Sequence, residues 1–189
     1  MKYKELLAFL RNNMEPILLQ HSLGVQETAR QLAFCYNADA EKAALAGLLH
    51  DYGKLYPESL LEAVAREQNL LNDLMAGEPQ LLHAPVGSWL VNKELNIQDH
   101  DILQAIRWHT TGSPGVNFIG LIIYVADFCE PGRSFPEALK IREQAFRDLP
   151  GAALAALSHT LRFLLQEKRR IHPSSWKFYD KLVLCHKKA

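Results

Sequence analysis

Apolar residues recur along this chain at intervals of three and four almost from end to end, the period of helices buried on one face. Tyr3, Leu6, Leu7 and Leu10 predict a short helix ending near Asn12-Asn13. Val25, Ala29, Leu32 and Tyr36 predict a second, with His21 on the same stripe. Asp39 reads as the N-cap of a helix through Ala43, Leu45, Leu48 and Leu49 that closes at Gly53. Further helices are expected over Leu60 to Gln68, over Ala84 to Leu95, and from an Asp99 cap through Ile102, Ala105, Ile106 and His109. A looser stretch holds Gly77 and Pro79. Asn117 opens the most apolar segment, which runs to Asp127, and Pro131-Gly132 then breaks the chain. Pro136 to Arg147, Ala152 to Arg169 and Ser175 to His186 complete the helices. Nothing alternates with period two over a useful length, and no repeat or low-complexity tract intervenes. The expected fold is all-α, a single-domain helical bundle spanning 1–189.

Composition narrows the function classes. The 189 residues suffice for a core without a metal or disulfide staple, and 48% hydrophobic with 22% charged residues is the balance of a soluble globular chain. Lys plus Arg is 21 and Asp plus Glu is 21, so the basic footprint of a nucleic-acid binder is missing. Cys35, Cys129 and Cys185 form no CxxC pair, which points to a reducing compartment. Met1-Lys2-Tyr3-Lys4-Glu5 has no apolar run behind it, and the longest such run, Phe118 to Ala126, is too short to span a bilayer. The expected location is the cytoplasm.

The chemistry lies in the histidines. Asp127 ends a segment that is apolar on nearly every face, where a carboxylate needs a cation or a proton. His50-Asp51 ends another apolar run, and imidazole beside carboxylate suits iron, manganese or zinc. His21 and His109 lie on inward stripes, and His83 stands at a helix start. Singly, each reads as a hydrogen-bonded core histidine. Together they are the inventory for a metal site between helices. His21, His50, Asp51 and Asp127 would hold one metal, while His83 and His109 would hold a second or grip phosphates. His100, His159 and His186 read as surface or capping residues.

This order of ligands resembles the HD-domain metal-dependent phosphohydrolases. The segments around His21-Ser22-Leu23, His50-Asp51-Tyr52-Gly53-Lys54, Trp108-His109-Thr110-Thr111-Gly112, Asp127-Phe128-Cys129-Glu130-Pro131-Gly132-Arg133 and Ile171-His172-Pro173 resemble the YqeK-like branch, the bacterial symmetrical bis(5'-nucleosyl)-tetraphosphatases. That branch continues past Pro173 with a Thr and then an Asn, whereas this chain has Ser174-Ser175-Trp176. The resemblance places an HD core at about 15–135, with 136–189 completing the bundle and the nucleotide site. It implies symmetrical hydrolysis of diadenosine tetraphosphate to two ADP, with iron as the metal and manganese or cobalt as alternatives. Asp51 and Asp127 would hold and orient the water, and Lys54 and Arg133 the flanking phosphates. Thr110 and Gly112 would approach phosphate, and Arg170 and His172 would close over the nucleotide. The expected partner is a small dinucleoside polyphosphate, with no nucleic acid and no membrane, and a homodimer is left open. The competing readings are an HD phosphohydrolase of a nucleoside mono- or triphosphate or a guanosine alarmone, and a non-catalytic HD-like signalling module.

Overall fold

The computed structural model describes residues 3–70 and 78–186; Met1, Lys2 and Gly77 lie outside the described residues. Among the described residues ten α-helices follow in order: α1 (Tyr3–Asn13), α2 (Pro16–Cys35), α3 (Ala40–Leu49), α4 (Glu58–Glu67), α5 (His83–Leu95), α6 (His100–Trp108), α7 (Phe118–Cys129), α8 (Pro136–Ala145), α9 (Leu149–Gln166) and α10 (Pro173–His186). Short 3-10 turns cover Tyr52–Leu55 and Pro79–Leu81. Among the described residues there is no strand, and no helix is long and apolar enough to cross a membrane.

The most apolar segment becomes the axis of the fold. α7 packs against α2, α3, α6, α8 and α9, which accounts for its lack of a polar face. Ile122, Ile123 and Val125 are wholly buried, each worth about 1.5–3 kcal/mol by apolar burial. Asn117 caps α7 by accepting from the Gly120 N–H at 2.7 Å. The last turn of α7, carrying Asp127, therefore emerges from the core already surrounded by other helices.

Boundaries shift where caps decide them. α3 ends at Leu49 rather than at Gly53, because the chain turns at His50 and continues as the 3-10 turn. Tyr52 in that turn is wholly buried and donates to Glu94 at 2.8 Å, which pins the turn onto α5. α9 begins earlier than Ala152, since Asp148 caps it through the Gly151 N–H at 2.9 Å. It stops at Gln166, short of Arg169, where Lys168 takes a left-handed φ of 53°.

Asp99 caps α6 as expected, accepting from the N–H groups of Asp101 and Ile102 at 2.9 and 3.3 Å. Lys42 of α3 reaches the same carboxylate at 2.7 Å and holds its pKa below the ordinary value. A carboxyl depressed in the folded chain stabilises it above the unfolded pKa of about 3.9, and that stability is lost as the pH falls through the folded value. Asp99→Ala is expected to lower stability by about 1 kcal/mol at neutral pH. In urea unfolding the gap to wild type should close as the solution is acidified; a gap that is the same at acid and neutral pH contradicts this.

Candidate metal centre and its cavity

Five helices deliver side chains to one point. His21 projects from the second turn of α2, His50 is the residue ending α3 and Asp51 follows it, His83 opens α5, His109 ends α6, and Asp127 lies in the last turn of α7. His50 and Asp51 are 0% and 1% exposed, and His83 and His109 are buried too. His21 and Asp127 are half-buried.

The donor atoms fall into two sets that share Asp51. On one side, His21 Nε2 stands 3.2 Å from His50 Nε2 and 3.0 Å from Asp127 Oδ1, while His50 Nε2 lies 3.3 Å from Asp51 Oδ2. On the other, His83 Nε2 and His109 Nε2 are 3.1 Å apart and lie 3.3 and 3.4 Å from Asp51 Oδ1. Ligands bound at about 2.0–2.2 Å around one ion sit roughly 3.0–3.5 Å from each other, so these spacings fit a coordination shell. The triads His21, His50, Asp127 and His50, Asp51, His109 each bring their ligand atoms within 4.8 Å.

Proton accounting gives the stronger argument. His50, His83 and His109 each approach a backbone carbonyl through Nδ1, of Gly47, Gln80 and Ile106, at 2.8, 2.6 and 2.8 Å. His21 Nδ1 approaches Glu130 Oε1 at 3.2 Å. A carbonyl or carboxylate oxygen only accepts, so each Nδ1 carries the proton. In neutral rings the four Nε2 lone pairs then converge on each other and on carboxylate oxygens, and Asp51 Oδ1 is buried without a hydrogen-bond donor. Only cations resolve that arrangement, and the donor chemistry suits a divalent metal. In the metal-free chain a proton substitutes at His50. Burial opposes its charge, but Asp51 and Asp127 outweigh burial and push its pKa up to about 9. Burial also opposes ionisation of Asp127, yet the His21 contact and His50 hold it well below the usual range. His109, driven down by burial, stays neutral.

A cavity of about 730 Å³ opens over the centre, with His83, His109 and Asp127 in its wall. Lys54 and Arg133 lie at its edge, already paired with the carboxylates: Lys54 Nζ sits 2.7 Å from Asp51 Oδ2 and Arg133 Nη2 3.3 Å from Asp127 Oδ1. Thr110, Arg170 and His172 also line it. His172 Nδ1 accepts from the Ser174 N–H at 3.1 Å, leaving the ring proton on Nε2, the opposite tautomer to the four histidines of the centre.

Other expected site residues sit elsewhere. Gly112 does not line the cavity. It is buried at φ 67°, and a Cβ there would collide with the Phe178 ring, so its smallness serves the packing of α10. Ser174 and Ser175, just past Pro173, donate to the carbonyls of Gly112 and Thr111 at 2.8 Å each and clamp that same turn. His159 is half-buried rather than fully exposed. It stacks on Phe135 with centroids 5.7 Å apart and meets Phe128 at 5.4 Å, behind the apolar cavity wall. His100 is exposed at the start of α6, and the His186 side chain lies outside what is described.

Sequence reasoning missed Glu130. It is 4% exposed at the end of α7, three residues after Asp127 and hence on the same face, a spacing that was the available signal. Its turn is held by Arg142 of α8, whose guanidinium donates to the carbonyls of Cys129, Glu130 and Arg133 at 2.6, 2.6 and 2.8 Å.

Metal binding to the metal-free chain should expel the His50 proton. Apparent affinity is then expected to fall about tenfold for each pH unit below about 9, with about one proton released per metal bound near neutrality. Calorimetric titration with Co2+ in two buffers of different ionisation enthalpy measures both. Affinity that does not change with pH across neutrality contradicts the assignment.

The HD domain family profile matches residues 18–144. A Halalkalibacterium halodurans protein named bis(5'-nucleosyl)-tetraphosphatase, symmetrical, is 43% identical over 168 residues, 89% of this chain and 90% of that one. A Bacillus subtilis protein of the same name is 37% identical over 183 residues, 97% of this chain and 98% of its own. The crystal structure of a Clostridium acetobutylicum protein, described as a predicted HD superfamily hydrolase involved in NAD metabolism, superimposes with a TM-score of 0.93 at 35% identity, covering 97% of each chain. With the profile spanning most of the fold and the similarity to these relatives running nearly end to end, the chain belongs to the HD-domain family.

Proposed function

We propose that this chain is a metal-dependent hydrolase that cleaves diadenosine tetraphosphate symmetrically to two ADP. The observation that carries the reading is the convergence of four Nε2 lone pairs and two carboxylates beneath a cavity with cations at its edge. A polyphosphate brings several negative charges, and it cannot approach Asp51 and Asp127 unless their charge is neutralised. His21, His50, Asp51 and Asp127 would hold one metal, and His83, His109 and the second oxygen of Asp51 another. When bound, such a metal supplies charge neutralisation at the phosphoryl group and the acidity that a water nucleophile needs near neutral pH.

The remaining steps belong to the chain's own residues. Lys54 and Arg133, 43% and 45% exposed, are free enough to exchange a carboxylate partner for a phosphate oxygen, and the forked guanidinium suits two oxygens at once. Arg170 and the Nε2–H of His172, in the lining of the same cavity, would donate to phosphate or ribose, and Thr110 would add a hydroxyl. Tyr124, Phe128, Phe135, Leu161 and Leu164 make an apolar wall in the same cavity, the surface a nucleoside needs beside a charged phosphate site. Asp51 and Asp127 would orient the water. Iron is the proposed metal, since mixed imidazole and carboxylate ligation accepts it. The proposal extends to a cytoplasmic protein that acts without nucleic acid, as a monomer or homodimer, and it treats 1–189 as one HD domain.

Anion-exchange analysis of products from purified protein, diadenosine tetraphosphate and iron, manganese or cobalt tests the reading. ADP as sole product is expected, whereas ATP plus AMP would refute the cleavage position. Asp51→Ala should lose metal and turnover while remaining helical; unchanged turnover would refute the site. Arg133→Ala should lower kcat/KM about 10- to 100-fold, the worth of one hydrogen bond to a charged group.

A further inference from the structure

We propose that Glu130 is a positioning residue that makes His21 a metal ligand, by holding the ring proton on Nδ1 and leaving Nε2 bare toward the centre. The inference rests on the metal-centre reading above. His21 differs from the other three histidines in where it stands. His50 and His109 end their helices and His83 begins one, so a nearby backbone carbonyl is available to each Nδ1. His21 lies inside α2, where main-chain carbonyls are engaged along the helix, and it needs an acceptor from another element. Glu130 supplies it at 3.2 Å.

The surroundings are built for that carboxylate. Its other oxygen accepts from the Gly132 N–H at 2.6 Å. Gly24, one turn beyond His21 on α2, leaves the space that Glu130 fills, because a Cβ there would collide with Oε2. Arg142 fixes the turn from below. Glu130 thus accepts two hydrogen bonds, one through each oxygen, and donates none.

That pattern makes Glu130→Gln informative. If the amide oxygen faces His21, the amide NH2 confronts the Gly132 N–H, donor against donor. If the oxygen faces Gly132, the NH2 confronts Nδ1, which must then accept, and the ring proton moves to Nε2 where the metal should bind. Outer partners of this kind are worth about 10- to 100-fold in metal affinity.

The experiment is a Co2+ titration, against a competing chelator, of metal-free wild type, Glu130→Gln, His21→Ala and the double variant, with unfolding temperature and helical content recorded for each. Glu130→Gln is expected to weaken Co2+ binding 10- to 100-fold, and to add nothing in the His21→Ala background. Equal affinity of wild type and Glu130→Gln, or an undiminished loss in the His21→Ala background, overturns the proposal. Failure of wild type to bind Co2+ would instead overturn the metal reading itself. A second measurement does not depend on any Glu130 variant folding. Long-range 1H–15N correlation of the wild-type imidazoles, with His21 assigned by its absence in His21→Ala, should show His21 protonated at Nδ1. A neutral ring with its proton on Nε2 and Nδ1 bare overturns the proposal.

Discussion

The arrangement of protons on four imidazoles is the constraint around which this fold is organised. Each ring turns its Nδ1 to an oxygen, so in neutral rings four lone pairs and two carboxylates face inward, offset only by Lys54, Arg133 and a proton on His50. Bringing such groups together is unfavourable unless positive charge joins them, so the site is a structural debt to a cation. Asp51 is central to it. One of its oxygens faces His50 and Lys54, the other His83 and His109, and the side chain is almost wholly buried.

Helical geometry places these groups economically. His50 and His109 cap the ends of α3 and α6, where the chain turns away and the ring can reach back to a carbonyl three residues earlier. Asp127 depends on α7, whose apolar sides are covered by neighbouring helices before the chain reaches the carboxylate. The 3-10 turn after Asp51 then aims Lys54 back at it, with Tyr52 as the anchor.

The helices, their caps at Asp39 and Asp99, the start of α7 at Asn117, and the convergence of His21, His50-Asp51 and Asp127 are legible in the sequence, because a period of three or four converts spacing into a face. What was not legible needed contacts between elements distant in the chain. The division of Asp51 between two donor sets depends on how α5 and α6 approach the end of α3. The stacking of His159 behind Phe135 depends on the register of α9 against the turn before α8. The packing role of Gly112 was hidden for a related reason: a short motif identifies a turn, but only α10 packed on it reveals that Phe178 and the Ser174 hydroxyl meet it there.

The residues proposed as ligands come from α2, the end of α3, α5, α6 and α7, and none of the inferred donor sets can be assembled from one of these segments alone. An unfolded chain therefore offers an ion little beyond isolated imidazoles and carboxylates, and strong binding has to wait until α7 is seated. Any ion that prefers the assembled state shifts the folding equilibrium toward it by mass action. The centre would then act as a late-closing clasp on chain topology, and the availability of metal in the surroundings would set how long the native bundle persists.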